Sequence, residues 1–161
     1  MLERTRSENQ DAFIIFKPHP DVTSGRRAGK VAQAQASELA DFILTNVSVP
    51  ELLDTVDDVW TMTSTMGFEA LMRGKQVTCL GLPFYAGWGL TRDLGLATLR
   101  RKSRPTLDQL IHAVLIGYPR YLDPKTGMIC PPEVIIDRLA DPDFKQVPMS
   151  WLGRVLQRFA T

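Results

Sequence analysis

The stretch DVWTMTSTMGFEALMRGKQVTCLG, residues 58–81, holds two apolar runs separated by one helical segment. The runs DVWTMT and QVTCLG carry the β-branched and aromatic residues typical of strands that are buried on both faces of a parallel sheet. Between them, Phe68, Leu71 and Met72 recur at helical spacing. Gly74 follows, and glycine is common just after the C-terminus of a helix. Strand, helix and strand in this order predict a right-handed parallel α/β unit.

The same alternation extends toward the N-terminus. AFIIFK, residues 12–17, and DFILTN, residues 41–46, predict two more buried strands. VPELLDTV predicts a helix with Ser48 as its N-cap and Pro50 in its first turn. Residues 25–40 predict a loop followed by a helix. We therefore predict a protein of the α/β class with a Rossmann-like parallel sheet.

The C-terminal third is predicted to be helical. After the last strand, LPFYAGWGLTRDLG predicts a long glycine-rich loop without regular structure. TLDQLIHAVLIG, residues 106–117, predicts a helix that begins with a capping box from Thr106 to Gln109. PPEVIIDRLAD and PMSWLGRVLQRFA predict two further helices. The last is amphipathic and carries Arg154 and Arg158, a pattern typical of docking on a sheet or a neighbouring domain, with a membrane-surface role as the alternative.

Composition narrows the classes of function. The 161 residues carry 19 Lys and Arg against 18 Asp and Glu, a formal charge of +1. Non-specific binding of nucleic acid through an overall positive charge is therefore disfavoured, and we expect no nucleic-acid partner. Cys79 and Cys130 lie far apart without metal-ligand spacing, so we expect no metal site and a reducing, cytoplasmic compartment. The apolar runs are too short for a membrane-spanning helix, and the polar N-terminus is unlike a signal peptide.

Two polar motifs follow predicted strands. KPHP, residues 17–20, comes at the end of AFIIF, and TSTMG comes at the end of DVWTM. Ligands of open α/β sheets bind outside the carboxyl ends of the strands, so both motifs fall on that edge. Pro18 and Pro20 restrict the backbone around His19, whose imidazole can donate to a phosphate oxygen or a sugar hydroxyl. The alternative is a histidine that only caps the strand end.

The second motif predicts an anion site. Ser64 and Thr65 come where a helix starts, and the hydroxyls, free amides and helix dipole there favour phosphate, with ordinary N-capping as the alternative. Glu69, about one turn further on, can accept both hydroxyls of a ribose or can lie on the helix face near Arg73. Gly67 lets a backbone approach closely. A glycine-rich dinucleotide fingerprint and a P-loop are both missing, which argues against NAD-binding and P-loop NTPase functions.

A resemblance to a known family rests on three stretches: KPHPDV, TMTSTMGFEALMRGKQVTCLGLPFYAGWGLT and YPRYLDPKTG. Together they closely resemble the bacterial capsule polysaccharide biosynthesis proteins of the KpsC/LipA type, over about residues 11–139. These proteins are retaining β-Kdo glycosyltransferases, where Kdo is 3-deoxy-D-manno-oct-2-ulosonic acid. The resemblance implies the C-terminal, nucleotide-sugar-binding half of a GT-B fold, the Rossmann-like lobe that binds CMP-Kdo while an N-terminal lobe holds the acceptor.

The resemblance also implies roles for particular residues. His19 and Pro20 match the His-Pro pair that contacts the nucleotide, with the histidine near the phosphate. Ser64 and Thr65 match the hydroxyl pair that receives the phosphate, and Glu69 matches the carboxylate that takes the ribose hydroxyls.

Further candidates lie in the glycine-rich loop and among the basic residues. In FYAGWG, Gly87 frees the backbone, while Tyr85 and Trp88 either line the donor sugar pocket or pack against the sheet. Three basic residues are candidates for the Kdo carboxylate or the phosphate: Lys17, Arg26 and Arg27. For the two arginines, a solvated basic loop is the alternative. The matched motifs contain no catalytic carboxylate, so no catalytic residue is assigned.

The resemblance implies a domain organisation and a set of partners. The whole chain, residues 1–161, is expected to be one Rossmann-like donor-binding domain, with the sheet and the CMP-binding motifs in residues 11–90 and C-terminal helices in residues 105–161. The acceptor lobe has no counterpart, so we expect nucleotide binding without transfer by this chain alone. The implied partners are the CMP-Kdo donor, a lipid-linked acceptor, and capsule assembly and export proteins at the inner face of the Gram-negative inner membrane. No cofactor is implied.

Two alternatives stay open. One is a non-catalytic nucleotide-binding or interaction module of capsule assembly. The other is a different GT-B-type enzyme, such as a UDP-sugar transferase or epimerase, because helices like this one are common in that superfold. Preference for a uracil over a cytosine nucleotide would distinguish the latter.

Overall fold

The computed structural model describes residues 1–26, 29, 31–96 and 98–144. It groups the chain into two compact units, Met1–Leu107 and a second unit that begins at Asp108. The expectation of a single donor-binding domain over residues 1–161 stays a prediction. The predicted C-terminal helix with Arg154 and Arg158, and the basic residue Arg27, lie outside the described residues.

The first unit alternates short helices and strands. In chain order they are α1 Leu2–Glu8, β1 Ile15–Phe16, α2 Pro20–Thr23, α3 Gln33–Leu39, β2 Phe42–Ile43, α4 Val49–Thr55, β3 Asp58–Thr61, α5 Met66–Met72, β4 Gln76–Cys79 and β5 Arg92–Asp93. Strand β1 pairs in parallel with β2, and β3, β4 and β5 form a second parallel sheet in that order. The predicted α/β class with parallel strands is confirmed.

The two helices predicted around β3 form for the expected local reasons. The Ser48 hydroxyl oxygen accepts from the Glu51 amide at the start of α4, and a proline stands in the first turn. Helix α5 ends at Met72 with Arg73 as its C-cap, and Gly74 takes a φ of +70°, a left-handed value that glycine adopts at no steric cost. Both boundaries agree with the sequence prediction.

The glycine-rich loop contains a strand that was not predicted. Within LPFYAGWGLTRDLG, residues Arg92–Asp93 form β5, which pairs with Thr78 and Cys79 of β4. The expectation of a loop without regular structure was therefore wrong at this point. Both β5 side chains are exposed, so the strand leaves no apolar pattern and is held by backbone pairing instead.

Helix α1 was not predicted either, and it ties the N-terminus to both sheets. The Arg6 guanidinium donates to the Leu39 carbonyl oxygen at 3.0 Å and to the Asp41 carboxylate at 2.6 Å. Asp41 also accepts from the Ile14 amide, and this hydrogen bond, followed by that of Arg6, lowers the pKa of the Asp41 carboxyl. From the same last turn of α1, Glu8 accepts from Arg92 of β5 at 2.7 Å.

Two apolar clusters support the first unit. Under β1 and β2 lie Leu2, Ile14, Ala36 and Ala40. Around β3 and β4 the buried residues include Leu52, Leu53, Val59, Phe68, Leu71, Val77, Cys79 and Tyr85. The second cluster fixes α5 against β3 and β4, and it thereby holds the segment that follows β3 at the carboxyl edge of the sheet.

The second unit consists of a helix, a hairpin and a helix. Apart from Leu107, the first residue of α6, the following elements lie in this unit: α6 Leu107–His112, a π-helical turn Ala113–Gly117, β6 Tyr121–Leu122, β7 Ile129–Cys130 and α7 Pro132–Ala140. The predicted helix over residues 106–117 is therefore α-helical only to His112, since the Tyr118 amide donates to the Ala113 carbonyl oxygen five residues back. The antiparallel β6–β7 hairpin was not predicted. Helix α7 confirms the prediction made from PPEVIIDRLAD.

An ion pair in the second unit, between the buried Asp123 and the half-buried Arg138, gives a prediction for acidic pH. Asp123 accepts two hydrogen bonds from Arg138, and these, with the Lys125 amide, lower the pKa of the Asp123 carboxyl to about 2. A lowered pKa stabilises the fold above the ordinary value of 3.8, and this contribution is lost as the pH falls through about 2. We expect a carboxyl ¹³C titration of Asp123 with a midpoint near 2 that moves upward in Arg138→Gln. An unchanged midpoint in that variant would contradict the pairing.

Within the part of the chain that the structure describes, no helix is long and apolar enough to cross a bilayer. The same residues contain no cluster of three His, Cys, Asp or Glu side chains arranged to hold a metal ion.

Candidate functional site

His19 lies directly after β1 and begins α2. Its Nδ1 accepts a hydrogen bond from the Asp21 amide at 3.1 Å, and 46% of its side chain is exposed. Because Nδ1 is an acceptor, the neutral ring carries its proton on Nε2. None of the described residues accepts from Nε2, so this N–H is available to an oxygen ligand. Pro20 is the first residue of α2 and has no amide to satisfy.

Ser64 and Thr65 follow β3, and the amides beside them are largely used within the protein. The Met66 amide donates to the Ser64 hydroxyl oxygen, and the Gly67 and Phe68 amides donate to the Ser64 and Thr65 carbonyl oxygens. The N-cap of α5 is Thr65, whose side chain makes no capping hydrogen bond, whereas the Ser64 hydroxyl accepts from the amide of Met66, the first residue of the helix. The Ser64 O–H remains as a donor, and the exposed Thr65 hydroxyl has no partner among the described residues. This segment therefore offers an anion hydroxyl donors more than free backbone amides.

Glu69 presents a half-buried carboxylate without a partner in the described parts of the chain. Arg73 donates to the Glu69 backbone carbonyl and pairs with Asp54 at 3.5 Å, so it does not neutralise the Glu69 carboxylate. The carboxylate lies one helical turn after Thr65, whose carbonyl oxygen accepts from the Glu69 amide. It is therefore free to accept hydroxyl groups of a ligand.

Tyr85 is completely buried, so its ring offers no surface to a ligand. Of the two roles considered for this side chain, packing in the core fits, and lining the donor sugar pocket does not. Its hydroxyl donates to the Ser64 carbonyl oxygen, and its ring stacks on Phe68 of α5. Burial raises the pKa of the Tyr85 phenol, which keeps it a neutral donor at physiological pH. Tyr85 thus positions Ser64 from beneath.

The absence of a side chain at Gly67 leaves room for the buried ring of Tyr85. A Cβ at position 67 would lie 2.7 Å from Cζ of Tyr85 and still closer to its hydroxyl oxygen. The expected close approach at Gly67 is thus filled by a side chain of the protein's own core. A larger residue here would displace Tyr85 from Ser64.

The loop between β4 and β5 is held by Arg101. The Arg101 guanidinium donates to the Pro83 and Ala86 carbonyl oxygens at 2.5 and 2.6 Å and lies 5.4 Å from the centre of the Trp88 ring. Trp88 is half-buried, and its Nε1 donates to the Phe84 carbonyl oxygen. Arg101 pairs with no acid in the described part of the chain and instead contacts three groups of one loop, which makes that loop more rigid.

Asp93 of β5 closes the same loop from the other side. It accepts from the Gly87 amide at 2.9 Å and from the Thr91 hydroxyl at 2.7 Å. Gly87 takes a φ of +79°, which explains why a glycine stands there. Neither Arg101 nor Asp93 was predicted from the sequence. The available signal was the run RRKSR, which has five residues and no acid.

The buried Cys79 gives a second prediction. Burial first, and then the charge of Asp93, raises the pKa of the Cys79 thiol to about 11. Because the thiolate is the reactive form, we expect iodoacetamide to label Cys130 and to spare Cys79 in the native protein at pH 8. Both should react in denaturant, and Cys130→Ser should show no native labelling. Comparable native labelling of Cys79, read by peptide mass spectrometry, would contradict its placement.

The structure brings some of the predicted residues together and leaves others apart. Ser64, Gly67 and Tyr85 form one contact group, and Thr65 and Glu69 share its helix. Lys17 and His19 follow β1 in the other sheet, where Lys17 Nζ lies 3.4 Å from the Thr45 carbonyl oxygen. The described hydrogen bonds and ion pairs do not join the two groups. A cavity of about 380 Å³ opens in the second unit near Arg120 and Leu139, and none of the predicted residues lines it.

Comparison with known proteins assigns the chain to a family. The protein-family sequence model described as "Capsule polysaccharide biosynthesis protein" matches residues 1–121 of the chain. The chain belongs to this family. The resemblance inferred from KPHPDV and the segment after β3 is confirmed.

Two curated relatives show how much of a longer protein the chain covers. The capsule polysaccharide modification protein LipA of Neisseria meningitidis is 50% identical over 126 residues, which are 78% of this chain and 18% of LipA. The lipopolysaccharide-processing protein LpsZ of Rhizobium meliloti is 45% identical over 117 residues, which are 73% of this chain and 26% of LpsZ. The chain thus spans a small part of either relative.

Two solved structures of KpsC from Thermosulfurimonas dismutans share the fold. The structure named a beta Kdo 2,4 transferase is 39% identical with a TM-score of 0.71, over 85% of this chain and 42% of that one. The one named a beta Kdo 2,7 transferase is 36% identical with a TM-score of 0.75, over 87% and 44%. The mixed α/β architecture of this capsule family member is therefore that of a Kdo transferase domain.

Proposed function

We propose that this chain is the donor-binding lobe of a capsule polysaccharide β-Kdo transferase and that it binds the CMP part of CMP-Kdo. The observation that carries the proposal is a group of polar side chains after β1 and β3 that have no partner among the described residues: the Nε2 of His19, the hydroxyl of Thr65 and the carboxylate of Glu69. The similar KpsC structures are named Kdo transferases, and for this reason we propose Kdo as the sugar of the donor.

Each group has a role in this proposal. Donors suit a phosphate, so the His19 N–H and the hydroxyls of Ser64 and Thr65 hold the phosphate of CMP, and Lys17 adds positive charge. Glu69 is acceptor-only when ionised and takes the two hydroxyls of the ribose. Tyr85 and Gly67 act indirectly, because they fix the backbone that presents Ser64.

The same groups assist the chemistry of transfer. When the bond between Kdo and the phosphate breaks, CMP leaves with both bonding electrons and its phosphate gains negative charge. Donors already oriented toward that phosphate stabilise the transition state. Retention of configuration needs either two successive inversions through an enzyme nucleophile or attack from the face that the phosphate leaves, and none of the described site residues is assigned as a nucleophile. The acceptor is a lipid-linked saccharide held by a second lobe, at the cytoplasmic face of the inner membrane.

Calorimetric titration with CMP and UMP tests the proposal. We expect the chain to bind CMP more tightly than UMP, and His19→Ala and Glu69→Ala each to bind CMP about tenfold more weakly. Asp57→Asn is the matched control, because Asp57 is an exposed carboxylate at the opposite end of β3. Preference for UMP would favour a UDP-sugar enzyme. Absence of heat with both nucleotides would contradict the proposal.

A further inference from the structure

A second cavity, of about 200 Å³, opens in the first unit on one face of the sheet formed by β3, β4 and β5. In the strand register Trp60 lies beside Thr78 and Thr78 lies beside Arg92, so these three side chains project from the same face. Asp58 and Gln76 are paired two residues earlier and share that face, because side chains alternate along a strand. All five residues line the cavity.

The face that holds the cavity is polar, whereas the other face of the sheet belongs to the core. Val59 lies on that other face, where it is buried in the cluster that holds α5. Carboxylate, amide, hydroxyl and guanidinium groups would each need a partner if an apolar helix covered them. Asp58 and Gln76 begin their strands, so the cavity lies toward the amino end of the sheet, at the opposite end of β3 from Ser64. This face therefore suits a polar ligand.

Thr78 points to a ligand most directly. Only 7% of this residue is exposed, and its hydroxyl has no hydrogen-bond partner among the described residues. The described parts of the chain contain no fully enclosed side-chain oxygen or nitrogen without a partner, so the Thr78 hydroxyl opens into the cavity that it lines. Leaving a hydroxyl in such a place without a partner is unfavourable, and a polar ligand in the cavity would remove that cost.

Three more polar groups of the cavity are free to bind. The Asp58 carboxylate, the Gln76 amide and the indole N–H of Trp60 have no hydrogen-bond partner among the described residues. Asn9 also lines the cavity, and its amide nitrogen donates to a carbonyl oxygen of α1 at 2.8 Å, which leaves its amide oxygen as an acceptor. Donors and acceptors are therefore mixed around one small space, beside the apolar surface of the Trp60 ring and Leu90.

The charges around the cavity disfavour an anionic ligand. Arg92 lies 5.6 Å from the centre of the Trp60 ring and pairs with Glu8 at 2.7 Å, so its positive charge is already neutralised. Asp58 has no basic partner among the described residues and gives the cavity a net negative charge. Phosphate and carboxylate groups are therefore repelled, and one carboxylate offers too few oxygen ligands for a divalent cation. These charges favour a neutral ligand.

We propose that this cavity binds one neutral monosaccharide unit of a glycan. Each hydroxyl of a sugar both donates and accepts, which matches a cavity lined by a carboxylate, amides and a hydroxyl. The C–H face of a sugar ring is apolar and packs on side chains such as Trp60 and Leu90. A volume of about 200 Å³ is below the roughly 300–1,000 Å³ of pockets for drug-sized ligands and suits a single ring. This binding does not depend on the nucleotide site.

NMR titration of the ¹⁵N-labelled chain with glucose, galactose and N-acetylglucosamine tests the sugar site. We expect at least one of these sugars to shift the Trp60 indole and Gln76 side-chain signals, with a dissociation constant on the order of 1 mM, because one small ring makes few contacts. Glucuronate, a sugar with a carboxylate, should bind about tenfold more weakly than that neutral sugar. Saturating CMP should leave the affinity for the sugar unchanged.

Two substitutions and one control localise the effect. Asp58→Ala should weaken sugar binding about tenfold, because it removes a charged hydrogen-bond acceptor. Asp57→Ala is the matched control, since it removes the neighbouring exposed carboxylate, which does not line the cavity, and it should leave the affinity unchanged. Thr78→Val should weaken sugar binding about fivefold. The same variant should keep the urea midpoint of unfolding, because the Thr78 hydroxyl has no partner in the described part of the chain.

Several results would overturn the proposal. Absence of shifts with all of the neutral sugars would contradict this class of ligand, and equally tight binding of glucuronate would contradict the charge argument. Equal sugar binding in Asp58→Ala and Asp57→Ala would place the sugar elsewhere. A Thr78→Val variant that unfolds more readily would show that the hydroxyl serves the fold. Sugar binding that CMP abolishes would place the sugar at the nucleotide site instead.

Discussion

Replacing Tyr85 with alanine is expected to lower the free energy of unfolding by about 3–5 kcal/mol, the cost of removing a buried aromatic side chain. Tyr85 is fully buried, its ring lies 5.1 Å from that of Phe84 and 6.3 Å from that of Phe68, and its hydroxyl holds Ser64. A domain of this size has a total stability of about 5–15 kcal/mol, so the variant should be marginal. Urea denaturation followed by far-UV circular dichroism measures the loss.

Two milder substitutions keep this prediction informative. Tyr85→Phe removes only the hydroxyl and should cost about 1–3 kcal/mol, because the Ser64 carbonyl loses its buried partner. Gly67→Ala should cost about 1–3 kcal/mol by overpacking against the same ring. Since the two changes share one contact, their double variant should cost less than the sum. Strict additivity would contradict the packing of Tyr85 on Gly67.

The second expected result concerns Glu69 and the sugar of the nucleotide. If Glu69 accepts the ribose hydroxyls, CMP should bind about tenfold or more tightly than 2′-deoxy-CMP, which lacks one of them. In Glu69→Ala the two nucleotides should bind with equal affinity, because the acceptor is gone. Calorimetric affinities of both nucleotides for both proteins complete a thermodynamic cycle.

The control for this cycle is Asp57→Asn, which removes an exposed carboxylate at the start of β3 and should keep the tenfold preference. A preference for CMP that persists in Glu69→Ala would show that another group reads the ribose. In that case the unpartnered carboxylate would have a different ligand, and the family assignment would stand without it.

The sequence predicts the fold best where strands are buried and caps are local. Strands β3 and β4 place Val59 and Val77 in the core, and Ser48 caps α4 through its own hydroxyl. These signals depend on side chains within a few residues of one another. They survive without knowledge of the rest of the structure.

Other elements were missed because their determinants are distant in sequence. Strand β5 exists through backbone pairing to β4, and its Arg92 and Asp93 side chains carry no apolar pattern. Helix α1 buries only Leu2 and Thr5, so its mostly polar sequence shows no apolar periodicity from which a helix could be predicted.

The residues of the candidate site also fall into those that the sequence predicts and those that it does not. Residues such as His19 and Glu69 follow from their position after strands. The burial of Tyr85 and the loop contacts of Arg101 depend on long-range packing that no local pattern records. That Gly67 accommodates a core tyrosine could be recognised only after both had been placed in space.

The central claim, that a nucleotide binds at the carboxyl ends of β1 and β3, is tested most directly by NMR titration of the isotopically labelled chain with CMP. The account predicts that the largest chemical-shift changes fall on His19, Ser64, Thr65 and Glu69, with smaller changes along the β4–β5 loop. Changes concentrated around the cavity near Arg120 and Leu139, with the His19 and Glu69 signals unmoved, would contradict it.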